Sequence, residues 1–326
     1  MSVEVTKPGL STTVQDLGRP GYYHLGIPIS GAMDRYALRA ANLLVGNQEG
    51  DAALEATFLG PELRFHRDAL VAVTGAEMVP HVDGTPQPTW TGFAVRAGQT
   101  LGFDFLKAGA RAIIAVSGGF DVPVVLGSRS TYALGALGGH AGRALQAGDV
   151  LPMNEAPAGG RAGRAIPAFL RRDPAATTLL RVITGLYWHR LVEASQESFF
   201  ADGWAVAPEA DRIGYRFRGG TALQFVPREP PFGAGSDPSN IVDSGYPYGS
   251  IQVPGGIEPI VLHRDAVSGG GYFMLGTVIS ADMDLIGQLQ PHARVRFRAV
   301  SMEDALAARG QEQARLDELR HLLQNS

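Results

Sequence analysis

Glycine and proline punctuate this chain more densely than any other feature: 42 Gly and 21 Pro stand among 326 residues. That is about 19%, against roughly 12% in an average domain. Both residues interrupt long helices, so a helical bundle, a coiled coil and a long helical solenoid are excluded, and many short strands joined by tight turns are expected. The glycines follow no three-residue period, which removes a collagen-like helix. With 45% hydrophobic and 18% charged residues, the chain can bury a sizeable core and is not disordered.

The 28 basic and 32 acidic residues leave a net charge of -4. No block of like charge runs along the chain, so no nucleic-acid or polyanion surface is expected. Cysteine is absent. That removes disulfides, thiolate metal sites and thiol nucleophiles, and suits a cytoplasmic location. The first residues lack a basic region followed by an apolar run, so no signal peptide is expected. No stretch approaches the roughly 18 apolar residues of a membrane span, so no membrane partner is expected either.

Short apolar or alternating runs predict strands at 62–66, 69–74, 93–95, 100–103, 112–116 and 149–152. The second half adds 179–184, 215–218, 222–226, 250–253, 259–263 and 294–300. Three helices are predicted. The first follows Asp34 as N-cap, places Ala37, Leu38, Ala41, Leu44 and Val45 on one face, and stops at Gly46-Asn47. The second lies around 189–199. The third opens with a capping-box-like Ser301-Met302-Glu303-Asp304 and reads, from its polarity, as a surface or partner-contacting tail. Residues 155–174, small, basic and broken by Pro and Gly, read as a linker or crossing loop. The domain expectation is therefore 1–154, a linker at 155–174, 175–300, and a C-terminal helix at 301–326. The halves echo each other faintly at Val116-Ser117-Gly118-Gly119-Phe120 and Val267-Ser268-Gly269-Gly270-Gly271-Tyr272, which favours two related β-subdomains.

Four clusters could carry chemistry. Residues 9–34 gather Gln15, Asp16, Arg19, His24, Ser30 and Asp34 among glycines. An ordered loop entering a helix N-terminus suits a carboxylate or phosphate, and Arg19 would add a bidentate donor. Against that stands the plainer reading, in which Asp34 caps the helix and Arg19 pairs with Asp16. Gly127-Ser128-Arg129-Ser130-Thr131 could offer a hydroxyl-rich anion cradle, although the Gly-Lys-Ser/Thr ending of a P-loop is missing. His140 among glycines reads as a turn residue. In the fourth cluster Ser250 and Gln252 share a strand face, where Gln252 could read a neutral amide. The alternative there is an edge strand with a solvated polar face. Asp265 is either a general base or the partner of Arg264. No zinc-protease helix, paired-His metal spacing or Gly-x-Ser-x-Gly elbow is present, so no metal site is expected. No Met-Lys-Met-like biotin attachment site is present.

These blocks resemble a known family. GLSTTVQDLGRPGYYHLGIPISGAMD, ALRAANLLVGN, LEATFLGPELRF, VSGGFDVPVVLGSRSTY and GGHAGRALQAGD are similar to the allophanate hydrolase subunit 2 family, with later matches at LRVITG, ADRIGYRF, GSIQVP, PIVL and GGY. This is the group of the 5-oxoprolinase C subunit, KipA and the carboxyltransferase part of urea amidolyase, and the likeness runs from about Val3 to Val300. The resemblance implies a mainly β fold of two cyclophilin-like β-barrel subdomains with a few helices. It implies one component of a multi-subunit hydrolase that consumes ATP and opens 5-oxo-L-proline to L-glutamate. The partners implied are a subunit 1/B (KipI-like) protein and a LamB/YcsF-type protein as the A subunit, with ATP shared across the assembly. The alternatives are a biotin-dependent carboxyltransferase acting on urea or another small substrate, with biotin on a separate carrier, and a KipA-like regulatory binding protein. On the enzyme readings Arg19, Asp34, Gln252 and Asp265 are the expected catalytic residues, and Asp16, His24, Ser30, Arg129, Ser130 and Ser250 the expected substrate-binding ones. Three blocks depart from the family pattern. Gly185-Leu186-Tyr187 stands for Gly-Pro-Gln, 267–273 for Gln-Thr-Thr-Gly-Gly-Tyr-Pro, and Pro291-His292-Ala293 for Pro-Gly-Asp. Lost hydrogen-bonding groups in such loops change which polar substrate is accepted.

Overall fold

The computed structural model describes residues 2–174 and 179–324, which form two compact units. Unit 1 takes residues 2–19, 30–174 and 313–324; unit 2 takes 20–29 and 179–312. The fold is mainly β with four α-helices: α1 (Arg35–Leu44), α2 (Glu193–Ala201), α3 (Met283–Ile286) and α4 (Met302–Gln324).

Unit 1 is built from two antiparallel sheets. One runs Val150–Pro152, Ser2–Lys7, Glu62–Phe65, Thr100–Phe103, Pro80–Val82, Thr85–Pro86; the other runs Ser11–Gln15, Ala53–Thr57, Ala108–Val116, Ala69–Glu77, Gly92–Val95. Val3, Val5, Phe65 and Leu101 of the first sheet share a core with Leu54, Val71, Val73, Ile114 and Val116 of the second. Successive strand residues point to opposite faces, so Ile113 and Ala115 face away from that core. There they meet Ala37, Leu38, Ala41 and Leu44 of α1. Burial on both faces is why 112–116 is an uninterrupted apolar run. The cap of α1 is as predicted: Asp34 Oδ1 accepts from Ala37 N at 2.9 Å. Beyond its end Gly46 has φ +83°, and a Cβ there would lie 2.6 Å from Gly160 N, so only glycine fits.

Residues 155–174 lie against unit 1. Gly92 N donates to Arg164 O at 2.8 Å, Ile166 N donates to Trp90 O at 2.9 Å, and Ile166 and Leu170 are buried in the α1 core. The helix read as a surface tail is corrected more sharply. Leu316, Leu319 and Leu323 of α4 belong to the same core, and Arg320 Nη2 reaches Glu49 Oε2 at 2.9 Å. The first turn of α4 does carry the reciprocal capping box: Ser301 Oγ accepts from Asp304 N at 3.0 Å, and Asp304 Oδ2 accepts from Ser301 N at 3.2 Å.

Near the edge of unit 1, Arg143 grips Asp149 bidentately, Nη1 to Oδ2 at 2.7 Å and Nη2 to Oδ1 at 2.8 Å. That guanidinium holds the Asp149 carboxyl down to about 2. A carboxyl lowered by folding adds stability above its unfolded pKa and loses it as pH falls through its folded one. The advantage of wild type over Arg143→Gln in urea unfolding is therefore expected at neutral pH and should vanish as pH falls towards about 2. A difference that stays constant across that window would refute the pairing.

Unit 2 is a closed seven-strand barrel in the order Leu179–Thr184, Met274–Val278, Ser250–Gln252, Ile260–Leu262, Gly214–Arg218, Trp204–Val206, Arg294–Ala299. The closing pair, Leu179–Thr184 with Arg294–Ala299, is parallel, and the other pairs are antiparallel. Phe199 of α2 stacks on Phe297 at 4.8 Å, and Phe217 meets Phe297 edge-on at 5.4 Å inside the barrel core. Asn240–Gly245 and Gly269–Tyr272 make a separate hairpin-like pair. Two expectations fail here. Residues 222–226 are not a strand: Leu223 N goes to Gly256 O and Gln224 O accepts from Val192 N, so loops rather than a neighbouring strand take their backbone groups. The echoed Gly-rich motifs also differ in structure. Gly118 and Gly119 turn with φ +91° and +68°, whereas Gly269–Tyr272 is extended strand.

Candidate functional site

In unit 1 the strand Ser11–Gln15 delivers Asp16 into a buried position, where its carboxylate collects four donors. Oδ1 accepts from Gly18 N at 2.7 Å, from Ser128 Oγ at 2.6 Å and from Ser130 Oγ; Oδ2 accepts from Arg129 N. Ser130 Oγ in turn accepts from Asp16 N at 3.0 Å. An ionised carboxylate has about four lone-pair sites, so Asp16 is saturated. It ties turn 16–19 to turn 128–130. The hydroxyl-rich loop therefore holds Asp16, not a ligand: the Ser128 and Ser130 hydroxyls and the Arg129 amide are already committed.

Arg19 is 1% exposed and donates through Nη2 to Ser130 O, clamping the same turn. The Asp16 carboxylate takes the four donors just named, and Arg19 joins the same turn through Ser130. Gly138, at φ +65°, leaves room for the Arg19 guanidinium: a Cβ there would sit 2.6 Å from Arg19 Nη2 and 2.2 Å from Ser130 O. Arg129 is half-buried, with Nε on Val122 O at 3.0 Å. Asp34 is the helix cap, as the plainer reading had it.

Two side chains of this region keep unused capacity. Ser30 is fully buried at φ +54°, a left-handed conformation uncommon outside glycine, and its Oγ has no hydrogen-bond partner among the described residues. Gln15 is 1% exposed; its Nε2 bonds Thr13 Oγ1 at 2.9 Å and Thr131 O at 3.2 Å, while Oε1 has no such partner. Buried polar atoms without partners are rare in native folds, and backbone strain clusters at functional positions. Ser30 and Gln15 are thus the groups of unit 1 most available to a ligand.

In unit 2, Ser250–Gln252 is a central barrel strand buried throughout, not an edge strand. Ser250 Oγ turns back to Pro247 O at 2.6 Å. Gln252 instead bonds the hydroxyl of Tyr246, which donates to Tyr272 O at 2.8 Å and accepts from Tyr272 N at 2.7 Å. Burial pushes the Tyr246 hydroxyl upward from its ordinary pKa. Asp265 pairs with Arg212, Nε to Oδ2 at 2.7 Å, and the guanidinium of its neighbour Arg264 stacks on Tyr248 at 4.6 Å. Near them Tyr23 has its pKa raised by burial, against the pull of Arg264. His24, one residue on, is exposed.

Within unit 1 the structure thus gathers Asp16, Arg19, Arg129 and Ser130; within unit 2 it sets Asp265 beside Tyr23 and Gln252 beside Tyr246. Sequence reasoning missed Tyr246 and Arg212. Neither had a local signal, because each meets its partner across a loop rather than along a helix or strand. Among the described residues no cluster of His, Asp and Glu could hold a metal ion, and no helix is long and apolar enough to cross a membrane.

Residues 25–299 match the family described as carboxyltransferase domain, subdomain A and B. The 5-oxoprolinase C subunit of Escherichia coli (strain K12) is 34% identical over 325 residues, covering 99% of both chains. A urea amidolyase of Saccharomyces cerevisiae is 35% identical over 312 residues, which is 93% of this chain but only 17% of that protein. The crystal structure of the Kluyveromyces lactis urea carboxylase superposes with a TM-score of 0.92 at 33% identity, over 98% of this chain and 29% of that one. The chain therefore spans about a fifth to a third of the multidomain fungal proteins it matches, and the whole of the bacterial one. Both the sequence match and the shared fold run through the barrel strand that carries Gln252 and the turn that carries Asp265, and on that footing the chain belongs to the carboxyltransferase domain (subdomain A and B) family.

Proposed function

We propose that this chain is the C subunit of an ATP-dependent 5-oxoprolinase, opening 5-oxo-L-proline to L-glutamate together with a subunit 1/B protein and a LamB/YcsF-type protein. The carrying observation is the likeness to the bacterial C subunit, which runs at 34% identity over 99% of that protein. In the reaction water adds to the lactam carbonyl, the C–N bond breaks, and the nitrogen leaves as the amine of glutamate. Gln252 supplies what a lactam needs for recognition, an acceptor for its N–H and a donor for its carbonyl oxygen. Tyr246 holds Gln252 in place. In unit 1, Ser30 offers a hydroxyl of its own, and Asp16 and Arg19 act as positioning residues for the 16–19 and 128–130 turns. Donors aimed at the developing oxyanion are the effect this kind of residue can contribute. ATP supplies the driving force. The donors of the 128–130 turn are engaged by Asp16, so they do not fit a triphosphate, and we assign the nucleotide to the assembled enzyme rather than to this loop.

A second reading, a carboxyltransferase fed by biotin on another chain, is favoured by the close superposition on urea carboxylase. One assay separates them. The chain mixed with its partner proteins should release glutamate from 5-oxoproline only with ATP, and avidin should not inhibit. Ser30→Ala and Gln252→Ala should each lower turnover by about tenfold or more while leaving the melting temperature near wild type. Avidin-sensitive carboxyl transfer would favour the second reading. Unchanged complex formation with no turnover from any variant or wild type would leave a regulatory binding protein.

A further inference from the structure

Unit 2 carries two inward-facing cations that no carboxylate among the described residues answers. Arg190, in the turn Trp188–Arg190, is 8% exposed. Its Nη2 donates to Pro238 O, its Nη1 makes a 3.4 Å contact to Asn240 O, and its Nε has no hydrogen-bond partner among the described residues. Arg228, half-buried, donates through Nη2 to the same Asn240 O, and its Nε likewise has no hydrogen-bond partner among the described residues. Two guanidiniums thus converge on one neutral oxygen. Among the described residues neither forms an ion pair, whereas Arg181, Arg212 and Arg216 of the same unit hold Asp282, Asp265 and Glu258. Burial and the neighbouring Arg228 both work against the charge of Arg190.

A structural brace accounts poorly for this arrangement. One guanidinium, or a neutral amide, would tie down the 238–240 turn, and a second cation adds repulsion and desolvation cost. Buried charges in folded proteins are ordinarily paired. The missing partner is an anion. Guanidinium forks match the two oxygens of a carboxylate. The walls are apolar and flat: the Arg190 guanidinium lies 5.9 Å from the Phe225 ring centroid and 5.7 Å from that of Phe273, and Phe273 meets Tyr187 at 6.4 Å. Tyr187 packs in one cluster with Tyr246, the residue that holds Gln252.

We propose that Arg190 and Arg228 form the carboxylate-binding end of the substrate site in unit 2, taking a small organic carboxylate whose body lies against Phe225, Phe273 and Tyr187. In naming 5-oxoproline as that carboxylate the inference rests on the function proposed above; in naming the chemical class it does not. The test titrates the full-length chain by calorimetry with 5-oxo-L-proline, with 2-pyrrolidone (the same lactam without the carboxylate), with benzoate and with inorganic phosphate. 5-Oxo-L-proline should bind, 2-pyrrolidone should not be measurable, and Arg228→Gln should weaken 5-oxo-L-proline by about tenfold or more, the effect of losing a charge-assisted bond. Gln keeps a donor for Asn240 O, and Arg190→Lys provides a second variant that retains charge but loses the fork. Should benzoate bind and respond to these variants while 5-oxo-L-proline does not, the carboxylate site stands and the 5-oxoprolinase reading falls. Binding of phosphate alone, of neither carboxylate, or of carboxylates with wild-type affinity in both variants would overturn the site.

Discussion

Asp16→Ala is expected to destabilise unit 1 by about 3–5 kcal/mol, one of the largest effects available to a single substitution outside the apolar core. The carboxylate receives Gly18 N, Arg129 N and the hydroxyls of Ser128 and Ser130. Removing it strands four buried or half-buried donors. Each stranded donor costs about 1–3 kcal/mol, and the costs are not additive because some donors regain water. In a chain of this size the change should lower the melting temperature by roughly 10 °C. Asp16→Asn should cost less: the isosteric amide keeps one acceptor oxygen, but its NH2 faces donors that need an acceptor. Thermal unfolding followed by near-ultraviolet circular dichroism checks both. A loss under about 1 kcal/mol in Asp16→Ala would mean that water, not this carboxylate, holds the two turns together.

Leu319→Ala should be comparably damaging, by about 2–5 kcal/mol, because a fully buried leucine leaves a cavity that a packed interior closes only in part. Leu319 is 0% exposed and sits with Leu316 and Leu323 in the core that α1 shares. Leu306, on the same helix, is 49% exposed. Its alanine variant should fall within about 0.5 kcal/mol of wild type, as surface substitutions do. The pair is its own control, since both changes alter helix propensity equally. Urea unfolding of the two variants decides the matter: equal, small effects would return the end of α4 to the surface.

That contrast shows where reading the chain succeeds and where it stops. The opening of α4 was legible because a capping box is local: Ser301 and Asp304 are three residues apart and satisfy each other. The burial of its end was harder to see. Leu316, Leu319 and Leu323 do follow a helical spacing, but long polar stretches around them dilute it, and nothing nearby names the surface they cover. The same division runs through the site. Asp34 is assignable as a cap from its position, whereas Asp16 reads as a ligand-binding residue because three of its four donors lie 112 to 114 residues away. Asp265 was set beside its neighbour Arg264, while its partner, Arg212, is 53 residues distant.

From the amino-acid order alone came the mainly β character, most strand positions, the cap of α1 and the family resemblance. All of these depend on interactions within a few residues or on patterns that repeat along the chain. Only the tertiary structure decided which polar groups answer one another. It closed the second-half strands into a barrel, saturated Asp16, left Ser30 and Gln15 with unused atoms, and brought Arg190 and Arg228 to one carbonyl. The physical reason is that a buried charge or donor must find its partner in space, and distance along the chain carries no information about which partner that is.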